Sequence, residues 1–282
     1  MNKPKVVRIG FTLISLLLLF VTATGIIDEK GKQYTDASFK KALITFGVAR
    51  GLNGVISVAQ GTEVAIHPAG FGLNFAPGQI LDPINDLIEQ FSWVMLASSA
   101  SLGIQKVFLE MGSHWLASTV LGVLLVALIL LMWLGDRVGS QYKNTVYRLV
   151  LIALFIRLSV PFAAIGSEVL YNYFLSDTYE QSTTKLEETR DTIGALNAKQ
   201  DSAAKKSEDD SMIGKAKRMF DSAVDTMDID ARIEQYKNAA SEASQYAIDL
   251  IVVFLIQTII FPLLFLAIIY RFVKGLGNKL VF

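Results

Sequence analysis

WLASTVLGVLLVALILLMWL, running from Trp115 to Leu134, holds no charged residue, and Trp115 and Trp133 stand at its edges. About 20 helical residues cross the roughly 30 Å of a bilayer's hydrocarbon, and indole rings favour the headgroup level on either side. The stretch therefore reads as a transmembrane helix. Three further runs meet the same length test: Ile9–Ile27, Val146–Leu170 with Arg157 inside it, and Asp249–Tyr270. The fold expected is an all-α integral membrane protein with four transmembrane helices.

Hydrophobic residues make up 52% of the 282, but they are segregated, the apolar runs contrasting with a very polar stretch from Ser176 to Gln245. A soluble domain mixes the two more finely. Lysine plus arginine and aspartate plus glutamate balance at 26 each, so no basic surface points to nucleic acid. The chain has no cysteine, which excludes disulfides, thiolate catalysis, iron–sulfur clusters and cysteine zinc sites. Its two histidines, His67 and His114, are too few for a histidine-rich metal centre.

Short-loop cations set the orientation. Lys3, Lys5 and Arg8 precede the first span, Arg137, Lys143 and Arg148 join the second to the third, and Arg271, Lys274 and Lys279 follow the last. Both termini are thus expected in the cytoplasm of a plasma (inner) membrane protein. The chain then divides into an N-terminus and first span at 1–27, an outer lobe at 28–114, and two spans with an inner loop at 115–170. An outer acidic hairpin at 171–248 and a last span with its tail at 249–282 complete it. Two alternatives stand beside this reading. Phe91–Met111 is apolar enough for a fifth crossing, although that would put Arg137, Lys143 and Arg148 outside. Met1–Ala23, ending in Val21-Thr22-Ala23, resembles a cleavable signal peptide, although its apolar run continues through Gly25, Ile26 and Ile27.

In the first outer loop Thr35 is placed to cap a helix starting at Asp36, with Phe39, Leu43, Phe46 and Val48 as its apolar face. Gly47 and Gly51 form a small-xxx-small pair suited to close helix packing. Gly61 to Pro83 reads as a small Gly/Pro-rich extended lobe, with Glu63–Ile66 and Leu73–Phe75 as short strands. Asp82-Pro83 starts another helix. On it Ile84, Leu87, Ile88, Phe91, Met95, Ser98 and Leu102 share one amphipathic face, and its small residues from Ala97 to Ser101 suit packing.

The second loop, 176–248, carries ten basic and fifteen acidic residues. Leu186, Ile193 and Leu196 form a thin heptad-like seam. Lys199–Ser211 is the expected tip of a coiled helical hairpin, and Met212, Ala216, Met219, Ala223 and Met227 repeat on its return. A second stripe, Ile229, Ile233, Tyr236, Ala240 and Ala243, runs without glycine or proline into the last span.

Arg157 is the most informative single residue. A lone cation in mid-membrane costs about 2.5–3.5 kcal/mol. Glu168 lies about 16 Å further along the same helix, too far to be its partner. Counted from the ends of the apolar runs, Arg157 is level with Gln257 and Thr258, which together form a candidate intramembrane polar site. Pro161 and Pro262 are expected to kink the two helices nearby. Glu168 and Asp249 are candidates for an outer vestibule. Ser113, His114 and Glu110 invite a hydrolytic reading, but no nucleophile elbow, His-Glu-x-x-His, phosphate loop or dinucleotide fingerprint accompanies them. No cofactor and no enzymatic activity are expected. The leading functional expectation is a homo-oligomeric, channel-like membrane protein in contact with lipid. The alternative is a non-conducting envelope scaffold that docks an envelope protein through its outer hairpin.

Overall fold

The computed structural model describes residues 3–61, 64–66, 73–75, 82–134, 140–206 and 212–279. The lobe's Pro68, Gly70, Gly72, Pro77 and Gly78, the loop residues Asp136 and Arg137, and the end of the hairpin tip at 207–211 lie outside them. The described residues are almost wholly helical: α1 (Lys3–Thr24), α2 (Ile26–Gly61), α3 (Asp82–Ser113), α4 (Trp115–Trp133), α5 (Ser140–Leu170), α6 (Ser176–Lys206), α7 (Met212–Leu255) and α8 (Phe261–Lys279). A π-helical turn at Tyr171–Leu175 joins α5 to α6, and another at Ile256–Ile260 joins α7 to α8. Strands β1 (Val64–Ile66) and β2 (Leu73–Phe75) pair antiparallel, Val64 opposite Phe75, in the expected extended lobe.

Four helical stretches are long and apolar enough to cross a membrane: Ile26–Gln60, Trp115–Trp133, and one each within Tyr142–Ala198 and Glu234–Gly277. The number agrees with the sequence expectation, but the first member does not. Gly25 takes φ +63°, a left-handed conformation that breaks the run Ile9–Ile27. α1 therefore ends at Thr24, leaving a shorter apolar helix at Arg8–Thr24, and α2 begins at Ile26. A second correction follows. Thr35 caps nothing, because α2 is already helical from Ile26 and buries Thr35 in its interior. Phe91–Met111 is not a separate segment but part of the single 32-residue α3.

On α2 the expected apolar face is met in part: Val48 is buried, Phe39 and Phe46 are half-buried, and Leu43 is exposed. Apart from Val48, the buried positions are Asp28, Gly31, Thr35, Ser38, Ala42, Thr45, Ala49, Leu52, Ile56 and Ala59. Their spacing alternates three and four throughout, the 3.5-residue period that keeps one helix face turned inward over many turns. The other long helices share it: Ile88, Phe91, Met95, Ser98 and Leu102 on α3, Tyr179, Ser182, Leu186, Thr189, Ile193 and Leu196 on α6, and Tyr236, Ala240, Ala243, Ala247 and Leu250 on α7.

Two compact units divide the chain, and their boundaries fall within helices rather than in loops. The first comprises 1–41, 98–174 and 255–282. Within it α1 packs on α4, α4 on α5, and α5 on α8. Leu121, Leu125, Leu128, Tyr147 and Val150 form its apolar core, flanked by Phe11, Leu18 and Leu19 of α1. α1 and α4 run antiparallel: the Trp133 indole N–H donates to Thr12 Oγ1 at 3.2 Å, while Leu19 lies against Gly122.

The second unit comprises 42–97 and 175–254. Ile56, Ile88, Phe91, Met95, Leu186 and Ile193 are fully buried in it, each stabilising the folded state by about 1.5–3 kcal/mol. Asn197 ties three of its helices together. Its amide donates to the Val55 carbonyl at 2.9 Å, and its Oδ1 accepts from the Tyr236 hydroxyl at 2.8 Å.

Candidate functional site

The polar residues of the first unit gather in two layers. Asp28 opens the inward repeat of α2, so the helix aims its carboxylate at the interior. There it meets Arg157 of α5 in a two-pronged ion pair: Nη1 donates to Oδ1 and Nη2 to Oδ2. Side-chain exposure is 4% for Arg157 and 11% for Asp28, so the charges neutralise each other away from solvent. The planar guanidinium fork matches a carboxylate edge, which is why an arginine suits this position. Nη2 also donates to Ser118 Oγ of α4 at 3.4 Å.

Ser118 lies less than one turn from Trp115, where α4 begins. Arg157 is therefore level with one end of α4 and not with its middle. Helix α5 explains the shift, for it starts at Ser140 and not at the apolar boundary Val146. Seventeen residues at 1.5 Å rise carry Arg157 about 25 Å along it.

The second layer lies ten residues further along α2, at Ser38. Here the structure separates the expected polar site: the guanidinium bonds to Asp28 and Ser118, whereas Gln257 bonds elsewhere. Gln257 Nε2 donates to Ser38 Oγ at 3.0 Å. Backbone chemistry dictates the rest. In the π turn the Phe261 N–H reaches back five residues to the Ile256 carbonyl, which frees the carbonyl of Gln257. Pro262 has no N–H, which frees that of Thr258. Ser167 Oγ donates to the first at 2.8 Å, and Ser101 Oγ and Gln105 Nε2 donate to the second at 3.0 and 3.2 Å. A freed, buried carbonyl costs about 1–3 kcal/mol unless paired, so these side chains take over the role of the missing helical bonds.

Glycines allow this close approach. A Cβ on Gly31 would sit 3.2 Å from Pro161 Cα and Cβ and 3.3 Å from Leu109 Cδ2. One on Gly166 would sit 2.9 Å from the Phe261 ring. Nearby, Lys41 Nζ stands 3.5 Å over the Tyr171 ring, and Lys106 pairs with Asp36 at 2.9 Å on the surface of the unit.

The remaining expected residues fall as follows. Glu168, half-buried in the first unit, accepts from Asn172 Nδ2 at 3.4 Å, while Asp249 belongs to the second unit. Of the glycine pair, Gly51 meets Arg190 Cδ, with 3.2 Å left for a Cβ, whereas Gly47 has open space around it. Ala97 is exposed, and Ser101 is the packing residue of that pair. Ser113 Oγ donates to the Glu110 carbonyl, and His114 Nδ1 accepts from Leu116 N as the cap of α4. Both therefore serve the backbone between α3 and α4. Among the described residues no three His, Asp or Glu side chains converge into a set that could hold a metal ion.

No protein-family model, no curated protein and no solved structure matches the chain. Its class rests on its own four helices long and apolar enough to cross a bilayer, those of a multi-pass membrane protein.

Proposed function

We propose that the chain is a non-conducting scaffold of the plasma membrane, with both termini cytoplasmic and the α6–α7 hairpin outside, where it docks a partner protein. One observation carries the reading: the charge of Arg157 and the carbonyls freed around Pro262 are each partnered within the first unit, while Thr35 Oγ1, Ser98 Oγ, Arg157 Nε, Ser159 Oγ and Glu168 Oε2 are buried there without a hydrogen bond to the described residues. Arg157 is neutralised by Asp28, and the carbonyls freed by Pro262 and the π turn are capped by Ser101, Gln105 and Ser167. A conduit for water or ions needs polar groups left open to its lumen. The orientation is supported by the cations Arg8, Lys143, Arg148, Arg271 and Lys274 toward one end of the helices. It is also supported by Glu29 and Lys30, exposed where α2 begins.

The absence of cysteine makes the test direct. Single cysteines at Ser140, Ser202 and Lys279 are labelled with a membrane-impermeant maleimide in intact spheroplasts. Labelling at position 202 alone is expected; labelling at 140 or 279 overturns the orientation. Removing residues 199–211 should leave membrane insertion intact and abolish partner capture.

A further inference from the structure

α5 and α8 leave a groove of about 490 Å³ between them, lined by Arg148, Ile152, Phe155, Tyr270, Lys274 and Gly277 among others. Arg148, Ile152 and Phe155 fall on one face of α5, and Tyr270, Lys274 and Gly277 on one face of α8, at spacings of three and four. Apart from its two cations the lining is dominated by apolar and aromatic side chains. Among the described residues no acid lines it: α8 contains none, and the one acid in α5 is Glu168, far along the helix. Neither Arg148 nor Lys274 makes a hydrogen bond or ion pair with the described residues, and both are exposed. The Phe155 and Tyr270 rings meet edge to face at 6.5 Å and form part of the wall. Gly277 lies opposite Leu151 in the wall, where an added Cβ would stand in ordinary contact, 3.8 Å from Leu151 Cδ1.

We propose that this groove holds one anionic phospholipid, with its phosphate between Arg148 and Lys274 and an acyl chain along Ile152, Ile156 and Val273. Charge complementarity selects the occupant. Two cations without a counter-charge among the described residues, beside an apolar channel, match a headgroup that carries net negative charge and a hydrocarbon tail. A zwitterionic lipid brings its own cation and gains less from the pair. A soluble phosphate would use the cations but not the channel. The inference takes its leaflet, the cytoplasmic one, from the orientation proposed above, whereas the site itself stands on the groove's chemistry.

Native mass spectrometry of the detergent-purified protein, given equimolar phosphatidylglycerol and phosphatidylcholine, tests it. Phosphatidylglycerol should be retained in preference. Arg148→Ala with Lys274→Ala should weaken that retention by about fivefold per cation, roughly 25-fold together, to the phosphatidylcholine level. Arg148→Lys with Lys274→Arg should preserve the preference, and Gly277→Leu, which fills the groove, should lower it with both charges in place. The Gly277→Leu and charge-preserving variants decide the matter if the double alanine variant does not fold. Equal retention of the two lipids, undiminished retention in the double alanine or Gly277→Leu variant, or full competition by inorganic phosphate at the lipid's concentration would overturn the proposal. Because binding in detergent is blind to orientation, a failure here is distinct from a failure of the labelling experiment.

Discussion

Replacing Asp28 by alanine leaves the Arg157 guanidinium in place with its neutralising partner gone. The side chain is 4% exposed, and its remaining hydrogen bond to the described residues is a long one to Ser118. Breaking a buried pair from one side costs about 3–5 kcal/mol, because the surviving charge is uncompensated. Arg157→Ala should cost a comparable amount through the stranded carboxylate. The double variant Asp28→Ala with Arg157→Met removes both charges, so it should recover most of the loss. The double-mutant cycle should thus give a coupling of at least about 2 kcal/mol. Arg157→Lys keeps the charge but loses the fork and should fall between wild type and Arg157→Ala. The assay is thermal unfolding of the detergent-solubilised protein, followed by tryptophan fluorescence and by size-exclusion recovery after heating. If the single variants unfold with wild-type midpoints, or if their losses simply add in the double variant, the ion pair does not hold these helices together.

Other consequences follow from the same packing. Ser101→Ala with Gln105→Leu strands the Thr258 carbonyl and should destabilise by about 1–3 kcal/mol; adding Pro262→Ala supplies an N–H and should restore part of it, both read as thermal midpoints. Gly31→Ala drives a Cβ against Pro161 Cα, a backbone atom that cannot swing away, and should cost about 1–3 kcal/mol on the same measurement. In the second unit Tyr236→Phe removes one hydrogen bond of Asn197, while Asn197→Ala removes that bond and the one to Val55; hydrogen exchange across 190–200 should rise more in the second variant.

Hydropathy made the four-span class legible, because uncharged runs near twenty residues have few other uses. It hid the partner of Arg157 for two physical reasons. The apolar run starts at Val146, although α5 is already helical at Ser140, so depth read from the run misplaces Arg157. Asp28 lies just past Ile27, outside the apolar run, whereas Gly25 ends α1 and makes Asp28 the first inward position of α2. The α2 seam is hard to read from sequence because from Gly31 to Ala49 its repeat is built of glycine, threonine, serine and alanine. A search for bulky residues passes over those, even though small side chains are what let helices approach closely. On α3 and α6, where the seam carries isoleucine, phenylalanine and leucine, the expected residues Ile88, Phe91, Leu186 and Ile193 are the buried ones. Pro262 reads in the sequence as a kink. Its larger effect, a freed carbonyl that recruits Ser101 and Gln105 from α3, depends on a tertiary contact 153 or more residues away in the chain.

Ion flux across liposomes bears on the non-conducting reading most directly. Purified protein is reconstituted at increasing protein-to-lipid ratios, and potassium and chloride release are followed against protein-free vesicles. A scaffold whose interior charges neutralise one another should leave both rates at the protein-free level at every ratio. Flux that rises with protein content, and whose ion preference changes in Arg157→Ala but persists in Arg157→Lys, would contradict it and make Arg157 part of a conducting path.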